Sequence, residues 1–314
     1  MIRPPPLRAG DVVRVVAPSS PVDPAALDRG LAVLRDEWGL AVRHRPDITA
    51  RRAYLAGDDG RRAEEWAEAV ADVEARALFC ARGGYGAMRI LPRIEAARLV
   101  HPPRWLVGFS DVTVLHAAAN LAGLVTVHGP LVTTLGRATP AAKESLRALL
   151  FGDRQRAAEG AEPAPGSGCT AAAVIRAGTC TGTLLGGSLT LLAHLCGTRW
   201  MPSLAGAILF FEDVAEKPYK LDRYLTHLRL AGALDGIRGV CVGHLTACDE
   251  GDLRGADVVR ELVLALGVPA IEGVPSGHDD HNVALPLGAL ATLVAPGPGE
   301  AGPPRLLFEA GGAA

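Results

Sequence analysis

Short apolar runs alternate with amphipathic helical patterns through the first half of this chain, and this alternation restricts the fold more than any other feature. The apolar runs have the length of strands, and the segments between them space apolar residues three and four apart, as a helix does. The predicted strands are residues 11–18, 41–45, 75–81, 105–109 and 124–129. One predicted helix begins at Pro24 with Asp23 as its N-cap, and the others lie over 61–72, 86–97, 111–122 and 139–150. Strands that alternate with helices predict an α/β domain with a doubly wound, mainly parallel sheet.

A polar stretch follows this half of the chain. Residues 152–168 ("GDRQRAAEGAEPAPGSG") are rich in Ala, Gly and Pro, which is typical of an exposed linker. A chain of 314 residues is also longer than one ordinary domain. We therefore predict an N-terminal domain over 1–151, a linker over 152–168 and a C-terminal domain over 169–314.

The predicted C-terminal domain is less regular. Its apolar runs are residues 171–176, 206–211, 237–245, 268–275, 289–294 and 305–308. Its helical patterns lie near 187–196, 219–233 and 253–266. Because strands dominate the end of the chain, we expect a smaller, β-rich domain of α+β or barrel-like form.

Charge and hydropathy exclude two classes of partner. The formal net charge is −2 and the basic residues are scattered, whereas a nucleic-acid-binding protein normally carries a one-sided basic patch. The sequence has no run of about 18 uncharged apolar residues that could span a bilayer. The first twenty residues have no uninterrupted apolar region before a cleavage site, so we expect no signal peptide. These features predict a cytoplasmic protein with neither a nucleic-acid nor a membrane partner.

The cysteines agree with that compartment. The six cysteines are far apart in the sequence and form no C-x-x-C pair. This spacing favours neither a zinc ribbon nor a dense disulfide framework. It is typical of small buried side chains in a protein of a reducing compartment.

The segment "GFSD" (108–111) places a hydroxyl where a predicted strand stops and a helix starts. In a doubly wound sheet, ligands bind outside the carboxyl ends of the strands. Ser110 would project from that edge, and the N–H groups of the following turn would be available to an oxyanion. The alternative is that Ser110 or Asp111 simply caps the helix.

The segment "RGGYG" (82–86) follows the third predicted strand. Its glycines would let the backbone approach a ligand closely, and the amide of Gly83 or Gly84 would be a second oxyanion donor. A tight turn is an equally simple interpretation. A dinucleotide site is disfavoured because the G-x-G-x-x-G spacing is absent.

A nucleophilic serine needs a base, and the base needs an orienting acid. The loop "SGHDDHNVALPLG" (276–288) offers His278 and His281 as bases. The run H-D-D-H, with Asp279 and Asp280, also raises the alternative of a metal site. No other His/Asp cluster supplies a further ligand at a recognisable spacing, which disfavours a metal.

The candidate acids close an apolar run in the second half. Residues 208–211 are apolar and lead directly into Glu212 and Asp213. Acids at a strand end are frequently surface residues or helix caps, so position alone leaves their role open.

Taken together, these segments resemble the LD-carboxypeptidase family of serine peptidases, which includes the microcin C immunity peptidases. The resemblance extends over nearly the whole chain in the family's order. The matching segments are "GDVVRVVAPSSPV", "ARGGYGAMRILPRI", "LVGFSDVTVLHAA", "VHGPLV", "GTLLGGSLTLLAHLCGT", "ILFFEDVAEKPYKLDRYLTHLRLAGAL" and "GVPSGHDDHNVALPLG".

The resemblance implies a fold and a set of site residues. The N-terminal domain would be flavodoxin-like and the C-terminal domain a small β-rich barrel. Ser110 would be the nucleophile, His278 rather than His281 the base, and Glu212 the acid. The oxyanion would bind the amides of Asp111 and Gly84, with Gly83 close behind and Tyr85 of the same loop at the substrate.

The resemblance also implies a reaction. The family cleaves the bond from an L-centre to a terminal D-amino acid, here that between meso-diaminopimelate and D-Ala of the murein tetrapeptide, in peptidoglycan recycling. The expected partner is a small peptide substrate, no metal or organic cofactor is needed, and family members are commonly homodimers.

Three other functions remain open from the sequence. A microcin C immunity-type peptidase would hydrolyse aminoacyl-nucleotide analogues and would need an aromatic platform, for which Trp200 and Tyr219 are candidates. A non-catalytic muropeptide-binding protein could use the same fold. A metallohydrolase would use the H-D-D-H run of residues 278–281.

Overall fold

The computed structural model describes residues 1–152 and 167–309. Most of the predicted linker lies outside the described residues, so the division into 1–151, 152–168 and 169–314 stays a prediction.

The first half contains the predicted alternation of strands and helices. Its strands are β1 (Val12–Val16), β2 (Ala41–Arg43), β3 (Ala75–Cys80), β4 (Trp105–Gly108) and β5 (Thr126–His128). Its α-helices are α1 (Pro24–Ala32), α2 (Asp59–Ala71), α3 (Ala87–Ile90), α4 (Thr113–Leu121), α5 (Val132–Leu135) and α6 (Pro140–Phe151). α1 and α6 both begin with a proline, after the side chains of Asp23 and Thr139 cap them by accepting N–H groups of the first turn.

The predicted helix over 86–97 is wrong in its length. It is divided into α3 and two short 3₁₀ turns, Leu91–Arg93 and Ala96–Leu99. Pro92 lies at the break, and a proline inside a helix removes a hydrogen bond and clashes with the preceding turn.

The second half contains long strands and shorter helices. Its strands are β6 (Gly168–Thr170), β7 (Ala173–Arg176), β8 (Gly178–Ser188), β9 (Ala207–Val214), β10 (Gly239–Thr246), β11 (Ala270–Glu272), β12 (Leu285–Leu287), β13 (Leu290–Ala295) and β14 (Arg305–Phe308). Its α-helices are α7 (Leu189–Leu195), α8 (Pro218–Leu230) and α9 (Gly255–Leu264).

The strands form two sheets. The first has the order β12-β5-β4-β3-β1-β2 and is parallel except where β12 joins β5. Neighbouring residues of β3 belong to different cores, Phe79 to one and Leu78 to the other, so both faces of this sheet are covered. The second sheet has the order β6-β14-β13-β8-β9-β10-β11-β7 and is mixed, with parallel pairing from β8 to β11. The predicted α/β fold class, with a mostly parallel first sheet and a strand-rich second part, is confirmed.

Strand β8 was not predicted because its sequence is rich in Gly and Thr rather than in large apolar residues. It nevertheless pairs with β9 on one side and β13 on the other. Gly186 explains part of this composition: a Cβ there would lie 1.7 Å from the carbonyl oxygen of Phe210. Glycine is required because the backbones approach too closely for a side chain.

Strand β12 returns the second half of the chain to the first sheet. Leu285 pairs antiparallel with His128 at the end of β5. The loop that precedes β12 carries His278, and this pairing fixes that loop beside the carboxyl ends of the first sheet.

Within residues 1–152 and 167–309, no α-helix combines the length and the apolar character of a membrane span.

Candidate active site

Ser110 occupies a strained turn at the end of β4. Phe109 is extended, with φ −155°, and Ser110 then takes φ +65° before a 3₁₀ turn leads into α4. A positive φ is uncommon for a residue with a side chain and costs of the order of 1–3 kcal/mol. Strand, strained serine and helix are the parts of a nucleophile elbow, although the local sequence is not G-x-S-x-G.

His278 connects this serine to an acid from the second sheet. Its Nε2 lies 2.9 Å from Oγ of Ser110, and its Nδ1 lies 2.6 Å from Oε2 of Glu212. Glu212 belongs to β9, where it pairs with Ser188 of β8, and its side chain is fully buried. The three predicted triad positions therefore form one continuous chain of hydrogen bonds.

The electrostatics of this chain favour a charged imidazole. Burial by itself lowers the pKa of His278, but the hydrogen bond and the negative charge of Glu212 outweigh it, and the pKa lies above its usual value of 6.5. A base whose protonated form is stabilised in this way can accept a hydroxyl proton and hold it.

Small residues make room for Glu212. A Cβ on Gly277 would lie 2.9 Å from Oε2 of Glu212, and one on Gly243 would lie 3.0 Å from its Cβ. Oε1 faces the buried ring of His128, whose Nε2 is 3.9 Å away. Burial holds the pKa of His128 well below 6.5, so this second imidazole is neutral.

Aromatic rings pack against the two imidazoles. The ring of Phe109 meets that of His278 edge-on at 4.8 Å between centroids, and it meets His128 at 5.6 Å. Phe210 covers His128 from the second sheet at 5.0 Å. Such edge-to-face contacts limit rotation of the rings.

The side chain of Asp111 holds together two segments beside Ser110. Its carboxylate is buried and accepts the N–H of Ala87 at 2.8 Å, which joins the end of β4 to the start of α3. Burial raises the pKa of this carboxyl group. The N–H of Asp111 donates to no acceptor among the described residues and lies directly after Ser110.

The "RGGYG" loop lies against the serine. A Cβ on Gly83 would be 2.9 Å from Cβ and 3.1 Å from Oγ of Ser110. Gly84 has φ +99°, and a Cβ there would clash with Ser20. The N–H of Tyr85 donates to Oγ of Ser20 at 3.1 Å, and its exposed ring packs against that of Tyr54.

A cleft of about 870 Å³ opens over Ser110 and His278. Its floor includes Gly83, Gly84 and Phe109. Its polar rim was not predicted from the sequence. The rim residues are Asp23, Arg82, Thr133, Thr134, Arg137, Asp279 and Asp280. Arg82 had a sequence signal because it begins the "RGGYG" segment, and Asp279 and Asp280 because they belong to the H-D-D-H run.

The members of the H-D-D-H run face different partners. His281 contacts Oγ1 of Thr139 at 3.0 Å, and Asp280 forms an ion pair with Arg137 at 2.9 Å. Oδ1 of Asp279 accepts the N–H of His281. In the described ranges no group of three or more His, Cys, Asp or Glu side chains is arranged to hold a metal ion.

The two candidate aromatic residues for a nucleotide platform do not line the cleft. Arg199 covers the ring of Trp200 at 4.4 Å, and Tyr219 is half exposed on α8 beside Arg223.

Fold and site together define an α/β protein in which a Ser–His–Glu chain bridges two sheets, the arrangement of a serine hydrolase. Comparison with known proteins gives the family. Residues 13–129 match the model of the LD-carboxypeptidase N-terminal domain, and residues 181–293 match that of the LD-carboxypeptidase C-terminal domain. The chain belongs to the LD-carboxypeptidase family, peptidase family S66, as the sequence motifs predicted.

Three similar proteins illustrate the relationship. The probable murein peptide carboxypeptidase of Bacillus subtilis is 34% identical over 299 residues, which cover 93% of this chain and 91% of that protein. The murein tetrapeptide carboxypeptidase of Pseudomonas aeruginosa is 33% identical over 290 residues, covering 90% of this chain and 92% of that protein. The crystal structure of muramoyltetrapeptide carboxypeptidase from Oxalobacter formigenes superimposes with a TM-score of 0.82 at 27% identity, covering 95% of this chain and 98% of that one.

Proposed function

We propose that this protein is a serine carboxypeptidase that cleaves the L,D-peptide bond between meso-diaminopimelate and the terminal D-Ala of the murein tetrapeptide. The observation that carries the proposal is the hydrogen-bonded chain Ser110–His278–Glu212 at the floor of an open cleft. The names of the Bacillus and Pseudomonas relatives support the choice of a murein peptide.

Each member of the chain has a distinct role. Ser110 is the nucleophile and His278 takes its proton. Glu212 holds the imidazole with Nδ1 protonated and stabilises its cationic form. The raised pKa of His278 supports this assignment.

Backbone amides stabilise the oxyanion. The N–H of Asp111 is one donor, and the N–H of Gly84 is the other, with Gly83 as the adjacent choice. Neither the N–H of Gly84 nor that of Asp111 donates a hydrogen bond to an acceptor among the described residues. Donors fixed in advance at the place where negative charge develops are worth about 10²- to 10³-fold in rate each. Tyr85, on the same loop, is a further substrate contact.

The reaction proceeds in two halves. Oγ of Ser110 bonds to the diaminopimelate carbonyl carbon as its proton passes to Nε2 of His278. The tetrahedral intermediate collapses by breaking the C–N bond, and His278 protonates the departing amine of D-Ala. Water then attacks the acyl-enzyme with His278 again as the base, and the tripeptide acid leaves while Ser110 regains its proton.

A protein that recycles wall peptides would work in the cytoplasm. All six cysteines are free thiols, and Cys80, Cys169, Cys241 and Cys248 are buried, which supports a reducing compartment. A homodimer, implied by the family resemblance, is also part of the proposal, and light scattering on the purified protein tests it.

The experiment that tests the function is mass spectrometry of products from synthetic L-Ala-γ-D-Glu-meso-diaminopimelate-D-Ala. Release of D-Ala with formation of the tripeptide is expected. A parallel incubation with an aminoacyl sulfamoyl adenosine distinguishes the immunity-type activity. Hydrolysis of that compound without release of D-Ala would contradict the proposal, and so would binding of the tetrapeptide without turnover.

A further inference from the structure

A carboxypeptidase differs from an endopeptidase because it binds the free carboxylate at the end of its substrate. Only one residue separates the scissile carbonyl from that carboxylate, so the two carbons lie within about 4 Å of each other. The group that binds the carboxylate must therefore line the same cleft as Ser110. Arginine suits this task best because its planar guanidinium presents paired N–H donors to a carboxylate.

Two arginines line the cleft among the described residues, and their surroundings differ. Arg137 is already neutralised, because its Nε lies 2.9 Å from Oδ1 of Asp280. Arg82 forms no ion pair with a carboxylate in residues 1–152 or 167–309. Its side chain is exposed to the cleft.

The acids of the cleft do not compensate Arg82. Asp23 accepts the N–H of Ala26 as the cap of α1, and Asp279 accepts the N–H of His281. Asp280 is paired with Arg137. Arg82 is therefore the cleft arginine that has no carboxylate partner among the described residues, and its positive charge would attract an anionic group.

The position of Arg82 suits a substrate that reacts at Ser110. Nη1 of Arg82 donates to the carbonyl oxygen of Pro21 at 2.5 Å, which fixes one edge of the guanidinium and leaves its other N–H groups available. The next residue, Gly83, is in direct contact with the nucleophile, since a Cβ there would lie 2.9 Å from Cβ of Ser110. The guanidinium thus extends from a backbone segment that touches the reacting residue.

Building on the proposed function, we infer that Arg82 binds the terminal carboxylate of the leaving D-amino acid and makes the enzyme specific for chain ends. Arg82 is a substrate-binding residue in this assignment and takes no part in proton transfer.

The test compares the tetrapeptide with its C-terminal amide in the wild-type protein and in Arg82→Gln, Arg82→Lys and Arg137→Gln. Wild-type kcat/KM is expected to favour the acid by about 10- to 100-fold, the range of a hydrogen-bonded charge pair. Arg82→Gln should lose this preference by slowing cleavage of the acid alone, and Arg82→Lys should recover part of it. Arg137→Gln, the matched control, should affect both substrates equally. Labelling of Ser110 by a fluorophosphonate and an unchanged melting temperature should show that each variant retains a folded site.

Four other results would contradict the role of Arg82. If Arg82→Gln slows both substrates equally, or if Arg137→Gln abolishes the preference instead, Arg82 does not bind the carboxylate. If the wild-type protein cleaves acid and amide at equal rates, the inference fails while the proposed function stands. If it cleaves neither although Ser110 is labelled, the proposed function fails and the inference falls with it.

Discussion

Nε2 of His278 lies 2.9 Å from Oγ of Ser110, although 168 positions separate the two residues in the sequence. They come from opposite halves of the chain, and the contact exists because β12, just beyond His278, pairs with β5 of the first sheet. The candidate site therefore depends on the way the two halves of the chain pack.

Two substitutions of Ser110 test its role in catalysis and the strain of its backbone separately. Ser110→Ala should lower kcat by at least about three orders of magnitude, because removal of a triad member normally does so. Ser110→Gly should be equally inactive, yet as stable as the alanine variant or more stable by up to about 1 kcal/mol, because glycine accepts the φ of +65° without strain. Product assays and urea unfolding measure the two effects. A glycine variant clearly less stable than the alanine variant would argue against a strained turn.

The pH profile should report His278. Only the neutral imidazole accepts the serine proton, so kcat/KM should rise with pH and have its midpoint above 6.5. Glu212→Gln should move that midpoint downward, since the charge that raises the pKa is lost while the burial that lowers it remains, and should reduce activity by two orders of magnitude or more. The raised pKa of His278 also stabilises the folded protein below pH 6.5, and this stabilisation is lost as the pH rises through the pKa of His278 in the folded state. A midpoint that does not move in the variant would contradict the role of Glu212.

Asp213 should make stability depend on pH. Its carboxylate accepts the N–H and hydroxyl of Thr190 and the N–H of Val214, and burial raises its pKa from 3.8 to about 6. The folded state thus keeps this proton to a higher pH than the unfolded state does. As the pH rises from 4 to 6, ionisation of Asp213 therefore lowers the free energy of unfolding of the protein by up to about 3 kcal/mol. Asp213→Asn should remove that part of the dependence. Urea unfolding of both proteins at several pH values measures this dependence. If the free energy of unfolding changes with pH equally in both, Asp213 is not the group responsible.

Gly83 should tolerate no side chain. A methyl group there would meet Cβ of Ser110 at 2.9 Å and displace the proposed nucleophile, and a shift of about 1 Å costs about 10²-fold in rate. Gly297→Ala is the matched control, since its nearest neighbour would be 3.6 Å away, in ordinary contact. The expected result is a large loss of kcat in Gly83→Ala with little change in melting temperature. Full activity of Gly83→Ala would show that the loop does not lie against Ser110 during turnover.

His281 should matter far less than His278. Its ring contacts Thr139, whereas the ring of His278 contacts Ser110, the proposed nucleophile. His281→Ala should retain activity within about tenfold, while His278→Ala should lose at least about a thousandfold. EDTA should leave the wild-type rate unchanged. Equal losses in both histidine variants, together with inhibition by the chelator, would favour a metal site on the H-D-D-H run.

Local sequence pattern determined the elements of the first half and the place of the serine. Most residues of β1, β3 and β4 are buried, and their short apolar runs predicted them as strands. Ser110 follows β4 and Glu212 lies two residues before the end of β9, and at both places a change from apolar to polar residues is visible in the sequence. The family motifs then singled out His278 among nine histidines.

The tertiary structure alone decided what depends on partners distant in the sequence. β8 is a strand because it pairs with β9 and β13. Its Gly186 is required because the backbone of β9 approaches closely, and local propensity does not predict that approach. The pairing of β12 with β5 and the hydrogen bond between His278 and Ser110 both join segments far apart in the chain. Local pattern reports the conformational preference and burial of a segment, whereas pairing partners and the geometry of a site depend on how separate segments pack together.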